Sequence, residues 1–187
     1  TAVYGWYNLP QPRSCYVDDQ NGDGFPDLNF GRAVTDCTGV ADADVYFPNF
    51  KAIDLNFNQD LDCCAWGGSW TVNRDGVSRS YGMTWMPPWS QNSAVYAHES
   101  GHSLGFPHSS GPYAATYDSR WDPMSSANAS CRIPNPTYGC VPVHTIMYHK
   151  DLDLWIPASR RFDTPVDSNT TITIERSAQP GSTGYLF

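Results

Sequence analysis

Apolar and polar residues follow two periods along this chain, and the periods divide it into elements. Val3-Tyr4-Gly5-Trp6-Tyr7 is aromatic and β-prone and predicts a first strand, ended by Leu9-Pro10-Gln11-Pro12. From Phe30 to Ala43 the apolar residues Ala33, Val34, Cys37, Val40 and Ala41 recur at helical spacing and predict a helix on a sheet. Val45-Tyr46-Phe47 and the alternating Ile53-Asp54-Leu55-Asn56-Phe57 predict strands. Gly67-Gly68 reads as a turn, followed by strands at 69–72 and 80–86 around Asn73-Arg74-Asp75-Gly76 and stopped by Pro87-Pro88. Asn92 or Ser93 can cap the next helix, whose buried side is Ala94, Val95, Ala97 and Leu104. A last helix is expected over 145–155, with Ile146, Met147 and Leu154 as its apolar contacts. Thr171-Ile172-Thr173-Ile174-Glu175 alternates as a late strand. No internal repeat or low-complexity linker interrupts the pattern.

Composition narrows the class. With 187 residues the chain fits one domain large enough to bury a core. Its 15 Gly, 15 Pro and 14% aromatics suit an ordered, loop-rich domain. A net charge of −8 argues against nucleic acid and anionic membranes as partners, since phosphate recognition needs clustered Lys and Arg. No apolar run is long enough to span a bilayer. The six cysteines, Cys15, Cys37, Cys63, Cys64, Cys131 and Cys140, include no C-x-x-C pair, and an even count favours disulfides and an oxidising compartment. Cys131 and Cys140 bracket a Pro-rich loop they could close. Adjacent Cys63 and Cys64 are expected to reach separate partners, and fifteen connectivities stay open. The start at Thr1 reads as a mature, secreted form from which a signal and a propeptide have been removed. Asn128-Ala129-Ser130 and Asn169-Thr170-Thr171 fit the N-glycosylation pattern.

The chemistry concentrates in His98-Glu99-Ser100-Gly101-His102-Ser103-Leu104-Gly105-Phe106-Pro107-His108. On a helix His98 and His102 stand one turn apart on one face. Two imidazoles so placed can grip one Zn²⁺. Gly105 can adopt positive φ, end the helix and let the chain return His108 as a third ligand. Three protein ligands leave a fourth position for water, the catalytic arrangement. Glu99 is placed to reach that water. A second, weaker motif is Asp19-Gln20-Asn21-Gly22-Asp23-Gly24-Phe25-Pro26-Asp27. Its opening matches a calcium loop with Asp19, Asn21, Asp23 and Asp27 as oxygen ligands. Phe30 stands where the closing Glu belongs, and the alternative is an ordinary Asx and Gly turn.

Trp121-Asp122-Pro123-Met124-Ser125 follows, its methionine 16 residues after His108. The long histidine motif with this turn resembles the metzincin clan of zinc peptidases, whose zinc motif is followed by a Met-turn. The stretches 108–113, 117–125 and 148–156 look most like secreted metzincins related to gametolysin. The resemblance implies an α+β fold: a three-layer α/β/α domain with a twisted, mostly parallel sheet over the active-site helix and an irregular C-terminal subdomain. The N-terminal subdomain would cover about 1–107 and the C-terminal one about 108–187. It further implies Zn²⁺ on His98, His102 and His108, Glu99 as general base and acid, and Met124 as an apolar floor outside the ligand set. An edge strand above the cleft would bind extended substrate, here Tyr81-Gly82-Met83-Thr84-Trp85 or its neighbour.

Two features depart from metzincin patterns. The position two residues after Met124 is Ser126, where some families carry a tyrosine, so the turn offers none, and Tyr148 is a candidate separate stabiliser. Ser109 after the third histidine is matrixin-like, while the rest of the chain is not. His144 and His149 lack ligand spacing and are assigned surface or structural roles. Asp118 and Asp122 flank the Met-turn and either hold loops and ligand imidazoles or are solvated. Trp66, Trp70, Trp85 and Trp89 either line subsites or pack. The expected activity is that of a secreted, monomeric zinc endopeptidase acting on protein or peptide substrates. A zinc hydrolase of a non-peptide amide or ester and a catalytically silent binding module are the alternatives; an intact Glu99 disfavours the last.

Overall fold

The computed structural model describes residues 1–111, 115, 117–125, 133–176 and 184–186. Ser126, the 128–130 sequon and Cys131 lie outside them. The described chain is a mixed α+β fold with small sheets and few helices. Its strands are β1 (Val17–Asp18), β2 (Asp27–Leu28), β3 (Ala52–Asn56), β4 (Trp66–Arg74), β5 (Val77–Met86), β6 (Ile133–Asn135) and β7 (Gly139–Val141). Its α-helices are α1 (Phe30–Ala41), α2 (Ser93–Ser103) and α3 (Met147–Leu152). Among the described residues no helix is long and apolar enough to cross a membrane.

The main sheet has the order β3-β5-β4, with β5 paired parallel to β3 and antiparallel to β4. It is therefore mixed rather than mostly parallel. The β4–β5 hairpin turns on Asp75 (φ 53°) and Gly76 (φ 72°), the two positive-φ residues a tight two-residue turn demands. The Asp75 carboxylate accepts from Phe47 N at 2.9 Å and so ties the turn to the rest of the domain.

Side chains alternate across the sheet, and each face has its own helix. On one face Val72, Tyr81, Met83 and Trp85 join Ala33, Val34 and Ala41 of α1 and Phe47, Phe57 and Leu61 in the main core. Phe30 meets Trp66 and Trp85 edge-on, with centroids 5.7 and 5.0 Å apart, and Trp70 meets Trp85 at 6.3 Å. These three tryptophans thus lie on the α1 side, where Trp85 is buried and Trp66 and Trp70, like Trp89, stay exposed on one flank. The other face lies against α2. A Cβ built on Gly67 would overlap the Glu99 carbonyl oxygen and lie 2.8 Å from the Glu99 Cα. One on Gly82 would lie 3.0 Å from the Ser103 oxygen.

That packing overturns the turn expected at Gly67-Gly68. Both glycines lie inside β4, and Gly67 is where strand and helix backbones approach too closely for a side chain. Segment 3–7 is not a strand; Val3 and Trp6 are exposed, Tyr4 meets Phe50 edge-on, and no strand pairs with it. Residues 45–47 bury Val45 and Phe47 but enter a 3-10 turn at Phe47–Asn49 rather than a ladder. Segment 171–175 contributes only an isolated bridge, Ile174 to Tyr185. The last helix is shorter than expected. Leu154 is exposed at φ 57°, and the buried residues of α3 are His149 and Lys150. Leu104, expected inside, is the half-exposed C-cap of α2.

Cys63 and Cys64 are bonded to each other, against the expectation of separate partners, and Cys15 and Cys37 are free thiols. Burial pushes the Cys37 thiol up to about 12, so it stays protonated. Cys140 is disulfide-bonded, and its expected partner Cys131 lies outside the described residues.

Candidate metal centre

Helix α2 begins where the Asn92 side chain accepts from Ala94 N and Val95 N at 3.1 and 3.2 Å. It ends at Gly105, whose φ is 86°. Gly105 N donates to His102 O and Phe106 N to Gly101 O, both at 2.9 Å, which closes a Schellman motif. The turn folds the chain back so that His108 meets His98 and His102.

The three Nε2 atoms converge. They are 3.2 Å apart for His98–His102, 3.3 Å for His98–His108 and 2.8 Å for His102–His108. Donors held tetrahedrally at a Zn–N distance of about 2.0–2.1 Å stand about 3.3 Å apart, so the spacing suits that ion. The other ring nitrogens decide the tautomers. His98 Nδ1 lies 2.6 Å from Pro123 O and His102 Nδ1 lies 2.9 Å from Phe106 O. A carbonyl can only accept, so both Nδ1 atoms carry the proton and both Nε2 atoms present lone pairs. Such lone pairs pointed at one another repel unless a cation lies between them. Burial and the neighbouring imidazoles also lower the pKa of His102 and of His108, which keeps both neutral and ready to ligate. The donor set therefore fits a zinc-like cation.

Glu99 is buried beside this cluster without belonging to it. Burial pushes its carboxyl up to about 7. It has no hydrogen-bond partner among the described residues.

The Met-turn braces the cluster from below. Met124 is fully buried. Its thioether presses on Gly101, where a Cβ would lie 3.0 Å from the Met124 Cε and closer still to the sulfur. Pro123 O holds His98, and Met124 O accepts from Ser109 N at 3.1 Å, next to the third histidine. Asp122, with 0% exposure, joins three segments. It accepts from Ser109 Oγ at 2.7 Å, from Thr145 Oγ1 at 3.1 Å and from His149 Nδ1 at 3.0 Å. The His149 ring stacks on Phe106 at 4.9 Å. So Asp122 holds loops, and the imidazole it orients is His149 rather than a ligand. Asp118 accepts from Gly111 N and Ala115 N.

Spacing alone did not reveal Tyr117, whose hydroxyl lies 3.0 Å from His108 Nδ1. No periodicity links residues 108 and 117; only its place just before the Met-turn hinted at it. Tyr148, the candidate stabiliser read from sequence, is exposed beside His149 and has no hydrogen bond or ring contact with the three clustered histidines among the described residues.

The expected substrate strand is also corrected. Tyr81-Gly82-Met83-Thr84-Trp85 lies in β5, the central strand, whose backbone is paired on both sides. The edge beside the histidine helix that is unpaired among the described residues belongs to its neighbour β4, the alternative the sequence left open.

The candidate calcium loop connects β1 and β2. Its oxygens are taken up by its own backbone: Asp19 accepts from Asp23 N and Gly24 N, Asn21 from Asp23 N, Asp23 from Phe25 N and Asp27 from Gln20 N, all at 2.9–3.0 Å. Its carboxylates are not drawn into a metal-sized cluster. Among the described residues such clusters are the histidine trio and Asp62-Cys63-Cys64. In the latter the two sulfurs are bonded to each other and Asp62 accepts from Leu28 N and Trp66 Nε1. Compared with known proteins, the chain matches no family model, no curated protein and no solved structure.

Proposed function

We propose that this protein is a secreted zinc-dependent endopeptidase that hydrolyses peptide bonds of protein substrates. The observation that carries the reading is the convergence of three Nε2 atoms beside a buried carboxyl of raised basicity. His98, His102 and His108 would hold the zinc. When bound, zinc supplies a water acidified to a pKa of about 7 and polarises a carbonyl.

The chain's own residues do the rest. Glu99 accepts the proton of the attacking water and returns it to the leaving amine. Burial raises this carboxyl to about 7 in the metal-free protein, which makes it the stronger proton acceptor. Met124 and Gly101 close the floor and keep the imidazoles from tilting. The free edge of β4 pairs an extended substrate backbone as an added strand. The metzincin resemblance supports this reading and a three-layer α/β/α arrangement, with α1 and α2 as the outer layers.

The decisive substitution is Glu99→Gln. It retains about one zinc per chain and loses hydrolysis by about 10²–10⁴-fold. Full activity in that variant would remove Glu99 from the mechanism. An unbiased peptide-library digest separates peptidase from amide or ester hydrolase and reports subsite preference in one measurement.

A further inference from the structure

Strand β4 leaves two tryptophans exposed on the face it turns to α1. Gly67 abuts α2, so by alternation Trp66, Gly68 and Trp70 share the opposite face. The two indoles are 42% and 37% exposed, yet neither is loose. Trp66 donates its Nε1–H to Asp62 Oδ2 at 3.1 Å and meets Phe30 edge-on. Trp70 is edge-on to Trp85, and its Cζ2 would lie 3.1 Å from a Cβ built on Gly31. Between the two indoles, a Cβ on Gly68 would meet nothing within 4 Å. Trp70 is also a wall of an open cavity of about 350 Å³, which Phe30 and Asp18 line as well.

The charge at this cavity is one-sided. The Asp18 carboxylate has no hydrogen bond or ion pair among the described residues, and it stands opposite Asp27 across the β1–β2 ladder. Like charges so placed repel. The cations nearest in sequence are engaged elsewhere: Arg13 with Asp60 O, Arg32 with Asp36, and Arg74 with Thr35 O and Asp42. Aromatic faces beside an uncompensated carboxylate attract a cation. We propose that Trp66, Gly68 and Trp70, with Asp18, form a subsite for an arginine or lysine side chain of the substrate. A strand added to β4 runs about 4.7–4.9 Å away and turns every second side chain to this face, beside those three residues. The apolar stem of that side chain lies over Gly68, and its charged head stacks on Trp70 and pairs with Asp18.

The inference rests on the peptidase reading and on substrate pairing at the β4 edge. A peptide-library digest by the zinc-loaded wild type should enrich arginine and lysine at one position. Then kcat/KM is compared for two peptides that differ only there, one with arginine and one with citrulline, its uncharged counterpart. The arginine-to-citrulline ratio should be about 2–30 at low salt and shrink as salt rises, because the site is open to solvent. Asp18→Asn should bring the ratio close to one. Trp70→Ala should do the same, and Trp70→Phe should keep most of it. Asp18 is exposed and has no partner to lose, so its variant decides the matter even where Trp70→Ala fails to fold. A basic preference that survives Asp18→Asn overturns the assignment, as does a library preference for aromatic or aliphatic residues with none for basic ones. Neither result touches the metal centre or hydrolysis itself. A wild type that cleaves no peptide overturns the proposed function and this inference with it.

Discussion

Two stretches of this chain carry the spacing of metal ligands, and the fold treats them in opposite ways. At 98–108 the Nδ1 atoms of His98 and His102 are held by Pro123 O and Phe106 O, which leaves their Nε2 atoms to face His108 Nε2. At 19–27 the side-chain oxygens bond to the loop's own N–H groups. The first arrangement draws on a carbonyl outside its motif; the second uses the backbone of its own loop. Side chains at ligand spacing turn their donor atoms to one point when other groups hold the rest of each ring.

The contrast breaks most visibly at its distant supports. Asp122→Ala leaves Ser109, Thr145 and His149 without their shared buried acceptor, and should cost about 3–5 kcal/mol in denaturant unfolding. A loss under 1 kcal/mol would mean that the Met-turn is held by other contacts. Gly67→Ala pushes a methyl into the backbone of Glu99 and should cost about 3 kcal/mol. The equivalent change at Gly68, which has nothing within 4 Å, should be far milder.

Glu99 gives a pH test in the chelator-stripped protein. Its folded value, about 7, lies above its ordinary value of 4.5. Its contribution is therefore fully present below pH 4.5 and is lost as pH rises through 7. Glu99→Gln should remove that decline, worth up to about 3 kcal/mol, and a variant with the wild-type slope would place the titration elsewhere. The smallest effect belongs to the acidic loop. Asp19→Ala removes an acceptor for two exposed N–H groups and should cost about 1 kcal/mol. If a calcium chelator that spares zinc lowers the melting temperature of the wild type but not of this variant, the loop binds calcium and the comparison fails.

What the sequence makes legible is what short-range chemistry determines. The cap at Asn92, the stop at Gly105, helix α1 and the hairpin through Gly76 depend on neighbours a few residues away, and their residue types announce them. What it hides depends on distant partners. Gly67-Gly68 looks like a turn because only the approach of α2 shows why a strand needs glycine there. Val45 to Phe47 and Thr171 to Glu175 have strand composition but lack, among the described residues, a neighbour to complete a ladder. His149 has no ligand spacing, and its role appears only when Asp122 and Phe106 close around it. In the candidate site the three histidines are readable, but the group that orients His98 is not, because it is a carbonyl 25 residues away.

The bond from His98 to Pro123 has a consequence for biosynthesis. While a ribosome has released residues 98–108 but not yet 123, that imidazole proton has no acceptor and its ring is free to turn. The eleven-residue motif, excised as a peptide, would suffer the same defect however well it were coaxed into a helix. Orientation of the trio is thus a late event, completed when the polypeptide has grown past its own zinc signature.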